Sequence, residues 1–274
     1  MNEIIVDLIT PFNYEGNIDY EKLYELLDYQ IDSGVDKIVL LGSVSEAESL
    51  TLDERLELLN KSISYVNNRI GIIVGINQRN IIDILQFDKL LDKLNFEGYI
   101  INNDIKSNET GLVKYYTQLA DKLSKQIILN DENMSINVIK RLSYHPKIIG
   151  IKMNKDINKL IEIANIYEDF KIYCGEDWLM LPSIMLGVSG IISVVGNAYP
   201  ILLKEIYELD DNLERLKLFN KYKQIIYNLT LERPTIIIKY LMEILGLISC
   251  NVRSPFDRCS KEVKQQILID YLNL

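Results

Sequence analysis

Eight short apolar, β-branched runs, each separated from the next by a longer amphipathic stretch, constrain this chain more than any other feature. They are Ile4–Ile9, Lys37–Leu41, Ile70–Ile76, Gly98–Ile101, Gln126–Leu129, Ile148–Met153, Phe170–Cys174 and Gly190–Val195. Nearly every residue in them is apolar, as in parallel strands that are covered on both faces. They recur at intervals of roughly 20–35 residues, which suits one strand plus one helix. The stretches between them carry helix signals. Tyr20–Ser33 sets Leu23, Leu26, Leu27 and Ile31 on one face, and Thr51–Asn67 opens with Thr51 and, three residues on, Glu54, the two members of a capping box. After residue 198 the strand pattern stops, and helical stretches follow at about Pro200–Glu208, Asn212–Asn228, Pro234–Leu245 and Lys261–Leu272. The expected class is α/β: a (β/α)8 TIM barrel over residues 1–198, with a C-terminal helical extension over 199–274. That extension supplies the final barrel helix and a tail packed on the barrel, and no Gly/Ser-rich linker sets it apart as a second unit. A chain of 274 residues is the size such a barrel needs.

Charge and composition remove several function classes. Thirty Lys and Arg against 39 Asp and Glu leave a formal net charge of -9, which repels phosphate backbones and anionic lipid alike, and no basic stripe offsets it. We therefore expect neither a nucleic-acid nor a membrane partner. The apolar runs are too short to span a bilayer, and the first residues lack a basic region followed by an apolar one, so a cytoplasmic location is expected. Cys174, Cys250 and Cys259 are odd in number with no CxxC spacing, which argues against a disulfide framework or a zinc knuckle. The lone His145, before Pro146, cannot build a zinc site and gives no support to a Ser-His-Asp arrangement.

Barrels of this kind carry their chemistry at the C-terminal ends of the strands. Three runs contain a lysine, but Lys37 and Lys171 come near the starts of theirs. Only Lys152, in Ile-Ile-Gly-Ile-Lys-Met, follows apolar neighbours near a strand end. Lost hydration favours the neutral amine, and a neutral amine is the nucleophile that attacks a ketone to give an iminium. The plainer reading is an ion pair with Glu176 or Asp177. After the second run comes Gly42-Ser43-Val44-Ser45-Glu46, a glycine and small hydroxyl residues whose backbone N–H groups can converge on a carboxylate. The plainer reading there is an ordinary loop with Ser45 or Ser49 as a cap. Gly190–Asn197 allows close backbone approach at the last strand, or simply tight packing.

Taken in order and spacing, these features resemble the dihydrodipicolinate synthase / N-acetylneuraminate lyase family over nearly the whole chain. Leu8-Ile9-Thr10-Pro11-Phe12 is similar to that family's first-strand end. Gly42–Glu46 stands in the place of its Gly-Thr-Thr-Gly-Glu loop. Ile149-Gly150-Ile151-Lys152 matches its Gly-Ile-Lys motif. Gly175-Glu176-Asp177, Gly190-Ile191-Ile192-Ser193 and Arg253-Ser254-Pro255 resemble its Gly-Asp-Asp turn, Gly-Val-Ile-Ser strand and Arg-x-Pro segment.

The resemblance implies class I aldolase chemistry, with pyruvate or another small keto acid forming an imine on Lys152 and no further cofactor. It implies catalytic roles for Lys152 and Ser43 and substrate contacts from Gly42, Val44, Asn130 and Ile192. It also implies a homo-oligomer, dimer or tetramer. The departures concern the helpers of the lysine. Leu129 stands where the family has a proton-shuttling tyrosine, Met134 where the synthases have an arginine for the second substrate's carboxylate, Val44 where the loop has its second threonine, and Asn103 or Asp104 near the place of a second tyrosine. Of the family's hydroxyl relay only Ser43 is kept. Asp104, Asp131, Glu132 and Tyr173 are the candidates to replace it. A member that has lost catalysis, binding a small acid or pairing with an active paralogue, is the alternative expectation.

Overall fold

A computed structural model describes residues 2–101, 105–130, 134–154, 156–164 and 169–274. Among the described residues, eight parallel strands close into a barrel in chain order: β1 (Glu3–Asp7), β2 (Lys37–Leu40), β3 (Gly71–Ile76), β4 (Gly98–Ile101), β5 (Gln126–Leu129), β6 (Ile148–Met153), β7 (Lys171–Cys174) and β8 (Gly190–Ser193). Closure is made by β8 pairing back on β1, with Ile5 opposite Ile192. The helices are α1 (Tyr20–Asp32), α2 (Leu52–Val66), α3 (Ile81–Leu90), α4 (Glu109–Lys122), α5 (Ile136–Leu142), α6 (Ile157–Ile163), α7 (Met180–Met185), α8 (Pro200–Glu208), α9 (Asn212–Asn228), α10 (Pro234–Ile244) and α11 (Lys261–Leu272). None of the described helices is long and apolar enough to cross a membrane. The three cysteines are free and buried.

Alternation along each strand sorts the side chains into two cores. Ile5, Val39, Ile73, Ile100, Ile128, Tyr173 and Ile192 fill the barrel interior as one buried cluster. The residues between them, such as Val6, Ile38, Val74, Ile127 and Leu129, face the helices and join the larger cluster. The helices meet that cluster with one apolar stripe each; α2, for example, buries Leu58, Leu59, Ile63 and Val66 and starts at the capping box, with both Thr51–Glu54 hydrogen bonds present. At the N-terminal end of the barrel Glu3 gathers Lys37 at 3.3 Å, Lys171 at 2.7 Å and the Tyr173 hydroxyl at 2.5 Å.

Three strands end earlier than their apolar runs, β2 by one residue and β1 and β8 by two, and the last two do so for one reason. The Ile9 N–H goes to the Asn197 side-chain oxygen at 3.0 Å instead of to a neighbouring strand, and Asn197 Nδ2 returns a bond to the Asp7 carbonyl at 2.8 Å. On β8 the N–H groups of Val194 and Val195 are both taken by the Asp177 carboxylate, each at 3.0 Å. Side chains thus replace the ladder where the barrel opens toward its C-terminal mouth.

Beyond α8, α9 lies against α7, α8 and α11, and α10 against α11 and the turn Val195–Asn197. Lys239 on α10 bonds to Glu46 in the loop after β2, and Asn251 bonds to the Phe12 carbonyl after β1. The residues after 198 are therefore tied to the loops at the mouth of the barrel.

Candidate active site

Lys152 projects from β6 into the mouth of the barrel and is only 4% exposed. Its passage depends on Gly175, just after β7, because a Cβ there would lie 2.6 Å from Lys152 Cγ and 2.1 Å from Asn154 Oδ1. The amine is 3.5 Å from Asp7 Oδ2. Asp7 is the last residue of β1 and is itself buried. The expected partners Glu176 and Asp177 do not supply this contact. Asp177 is committed to β8, taking the Ser193 hydroxyl at 2.5 Å besides the two amides. Burial raises its carboxyl above the ordinary range, against the pull of those donors and of Lys152.

The loop after β2 is bent into the same place. Leu41 has φ +57° and Glu46 φ +56°, left-handed conformations that cost a side-chain-bearing residue about 1–2 kcal/mol each. The Leu41 carbonyl is pressed against Gly75 of β3, where a Cβ would sit 2.1 Å away, and it accepts from Asn77 Nδ2 at 3.0 Å. The bend sets Gly42 beside Asp7, so close that a Cβ would stand 1.9 Å from Asp7 Oδ1. It also turns Ser43 so that its hydroxyl donates to Asp7 Oδ2 at 2.6 Å and its N–H to the same oxygen at 3.2 Å. One carboxylate oxygen thus receives Ser43 twice and Lys152 once. The other, Oδ1, is buried and has no hydrogen-bond partner among the described residues.

Above this group lies a cleft of about 300 Å³ lined by Ser43, Val44, Asn130, Lys152, Asn154, Arg233 and Thr235, among others. Asn154 donates to Asn130 at 3.1 Å, fixing one wall. A second hollow of about 210 Å³ shares Ser43 and Arg233 and includes Gly42 and Asn77. Among the described residues, no cluster of three or more His, Cys, Asp or Glu could hold a metal ion. What the site offers is an amine, a hydroxyl and a buried carboxylate within proton-transfer distance, under a cleft sized for a small molecule.

Comparison with known proteins gives this arrangement its context. Residues 1–270 match the model of the dihydrodipicolinate synthetase family. The 4-hydroxy-tetrahydrodipicolinate synthase of Karelsulcia muelleri is 31% identical, with 100% of this chain and 98% of the relative covered. That of Brachyspira hyodysenteriae is also 31% identical, over 96% of this chain and 94% of its own. The chain belongs to the dihydrodipicolinate synthetase family. Solved structures agree in fold: the 4-hydroxy-tetrahydrodipicolinate synthase of Methylacidiphilum fumariolicum SolV superposes with a TM-score of 0.94 at 22% identity, covering 100% of this chain and 95% of that one. The chloride-inhibited dihydrodipicolinate synthase of Acinetobacter baumannii in complex with pyruvate has a TM-score of 0.94 at 24% identity, covering 99% and 98%.

Within this family member the sequence-expected residues fall in three places. Lys152, Ser43, Val44 and Asn130 come together around the main cleft, and Gly42 lines the adjoining hollow. Ile192 lies a layer lower, fully buried in the apolar interior of the barrel. Leu129 and Met134 are both fully buried in the outer core, so neither side chain reaches the cleft. Tyr173 is drawn to the opposite end of the barrel by Glu3, which removes it as a replacement relay. Asn103, Asp104, Asp131 and Glu132 lie outside the described residues. Sequence reasoning missed Asp7, Asn154, Arg233 and Thr235. Asp7 carried a usable signal: it is the one charged residue in the run Ile4–Ile9.

Proposed function

We propose that this chain is a Schiff-base, class I lyase, and that Lys152 attacks the keto carbon of pyruvate or of a 2-keto acid containing it. The observation that carries the reading is a buried amine, Lys152, lining a cleft of about 300 Å³, in a member of a family whose relatives are named 4-hydroxy-tetrahydrodipicolinate synthase. Loss of water across the new C–N bond gives an iminium. That cation is an electron sink, so a carbon–carbon bond beside it can form or break. The bend at Ser43–Val44 lines the cleft where the substrate carboxylate would sit, and Asn130 lines the same cleft. With Met134 in the core, Arg233 at the mouth of the cleft is the cation for an anionic second substrate; its guanidinium is steadied over the Phe256 ring at 4.0 Å. On the family likeness we read the protein as a cytoplasmic homo-oligomer, dimer or tetramer, with a covalent imine and no resident cofactor.

A second reading, a member that binds a small acid without turnover, is favoured by one observation: the Leu129 side chain points into the helix layer and brings nothing to the cleft. Borohydride reduction in the presence of pyruvate separates the two. The wild-type protein is expected to gain the mass of one reduced pyruvate imine, mapped to Lys152, and Lys152→Ala to gain none. A folded wild-type protein that gains no adduct would overturn the lyase reading.

A further inference from the structure

We infer that Asp7 is the proton-transfer group of this site, working on the Lys152 amine directly and on the substrate oxygen through the Ser43 hydroxyl. The inference rests on the Schiff-base reading above. It starts from a buried carboxylate whose hydrogen bonding is incomplete among the described residues. Asp7 stands at the C-terminal end of β1, directly after the apolar Ile4, Ile5 and Val6, and is 1% exposed. Burying a carboxylate is costly unless it is fully paired. Here the pairing is one-sided: Oδ2 takes the Ser43 hydroxyl at 2.6 Å, the Ser43 N–H at 3.2 Å and the Lys152 amine at 3.5 Å. Oδ1 takes nothing among the described residues. A structural anchor looks different; Asp177, buried in the same mouth, fills both of its oxygens with β8 donors. Asp7 keeps capacity to accept a proton, and it keeps it beside the atom that must lose two.

Gly42 is part of the device. Any side chain there would strike Asp7 Oδ1, so the glycine lets the Ser43 hydroxyl close over the carboxylate. Ser43 lines the cleft and Asp7 does not, which makes the hydroxyl the link between the buried acid and a bound substrate.

The protons balance with no other group. Asp7 takes one proton from the Lys152 ammonium. The freed lone pair forms the N–C bond, the carbonyl π pair moves to oxygen, and that oxygen receives the proton back through Ser43. The nitrogen, now with two hydrogens and a positive charge, gives the second proton to Asp7. The C–O bond then breaks as that proton is delivered to the departing oxygen, and the nitrogen lone pair closes the C=N bond. Both hydrogens lost by nitrogen leave in one water molecule, and Asp7 ends as it began, ionised.

The test is the rate of adduct formation on the full-length protein: timed exposure to pyruvate, a borohydride quench, and intact mass. Asp7→Asn keeps the shape and can still accept from Ser43, yet cannot carry a proton. It is expected to form the same Lys152 adduct about a hundred-fold more slowly, within the usual worth of general acid–base help. In Asp7→Ala, formate is expected to restore part of the rate while leaving the wild type unchanged, which a packing role would not produce. Ser43→Ala leaves the buried pair in place and covers the case in which Asp7 variants fail to fold; it is expected to be slower by about ten-fold or more. Asp7 or Ser43 variants that trap pyruvate at the wild-type rate or faster would overturn the proposal and make Asp7 a lock on the ammonium. An adduct in Asp7→Ala with none in the wild type would do the same. No adduct in any of these proteins would bring down the pyruvate reading itself, and this inference with it.

Discussion

Among the described residues, two lysines are buried at the mouth of this barrel, and they are held in opposite ways. Lys239 on α10 is 0% exposed, and its amine is saturated: Glu46 Oε1 at 2.5 Å, the Asn251 carbonyl at 2.9 Å and the face of the Phe12 ring at 4.3 Å. Glu46 in turn uses its second oxygen on the Arg253 N–H at 2.8 Å. Lys152 has Asp7 at 3.5 Å, and a cleft above it. A saturated amine is a tie between segments, here joining the loop after β2 to the C-terminal helices. One with a single hydrogen-bond partner among the described residues, beside a carboxylate with one oxygen unpaired among them, is poised for reaction. Burial alone does not separate these roles; the count of partners does.

The comparison breaks most easily at Lys239. Lys239→Met leaves the Glu46 carboxylate buried without its cation, and removing one partner of a buried pair costs about 3–5 kcal/mol. Urea denaturation should show a loss of that size, with much of it recovered when Glu46→Gln is added. Lys152→Met should cost less than half as much, because Asp7 keeps both Ser43 donors. The opposite order of the two losses would mean that Lys152, not Lys239, is the structural tie.

A smaller effect comes from protons. Burial lowers the Lys239 amine from its ordinary 10.5 to about 8, against the pull of Glu46. The unfolded chain therefore holds this proton between about pH 8 and 10.5, where the native protein has released it. Stability from this group is lowest below pH 8 and rises across that window, since stability rises with pH wherever the unfolded state binds more protons. Urea midpoints of the wild type measured through the window, minus those of Lys239→Met, should slope upward. A flat difference would place the native amine near its ordinary value and weaken the claim that it is fully desolvated.

Much of the barrel was legible because its information is local. Strand and helix periodicity reside in neighbouring residues, and α8, α9 and α11 run over the very spans the sequence suggests. The site was legible only in part, because its pairings are made by closure. Asp7 and Lys152 are 145 residues apart, and Glu46 and Lys239 are 193 apart. Reading along the chain, the natural partners for Lys152 were Glu176 and Asp177 just after the next strand, while the barrel brings the end of β1 across the mouth. The same holds for Leu129 and Met134. Their identities showed that two family side chains were gone, but only the fold shows that the replacements are folded into the outer core. Lys239 was hidden by its surroundings, a lone cation in Ile236-Ile237-Ile238-Lys239 that reads as helix core.

The least of the expected effects lies at the edge of the Lys239 tie. Arg253 grips Glu54 with two bonds, at 2.9 and 2.6 Å, while its backbone N–H serves Glu46. Its Nε reaches the Gly16 carbonyl at 2.7 Å, and its guanidinium lies over the same Phe12 ring that covers Lys239. Glu54 is also the acidic half of the α2 capping box. The Arg253 hydrogen bonds hold its carboxyl down at about 2, below the ordinary 4.5, against partial burial. The stability this lends is complete above pH 4.5 and fades as pH falls toward 2. Glu54→Gln should therefore cost about 1 kcal/mol near neutral pH, the scale of a cap plus a part-exposed ion pair, and almost nothing near pH 2. Thermal midpoints of both proteins taken down the acid range would show the gap closing. A gap that persists at pH 2 would mean that Glu54 acts through its shape in the α2 cap, and that Arg253 holds the Glu46–Lys239 tie without it.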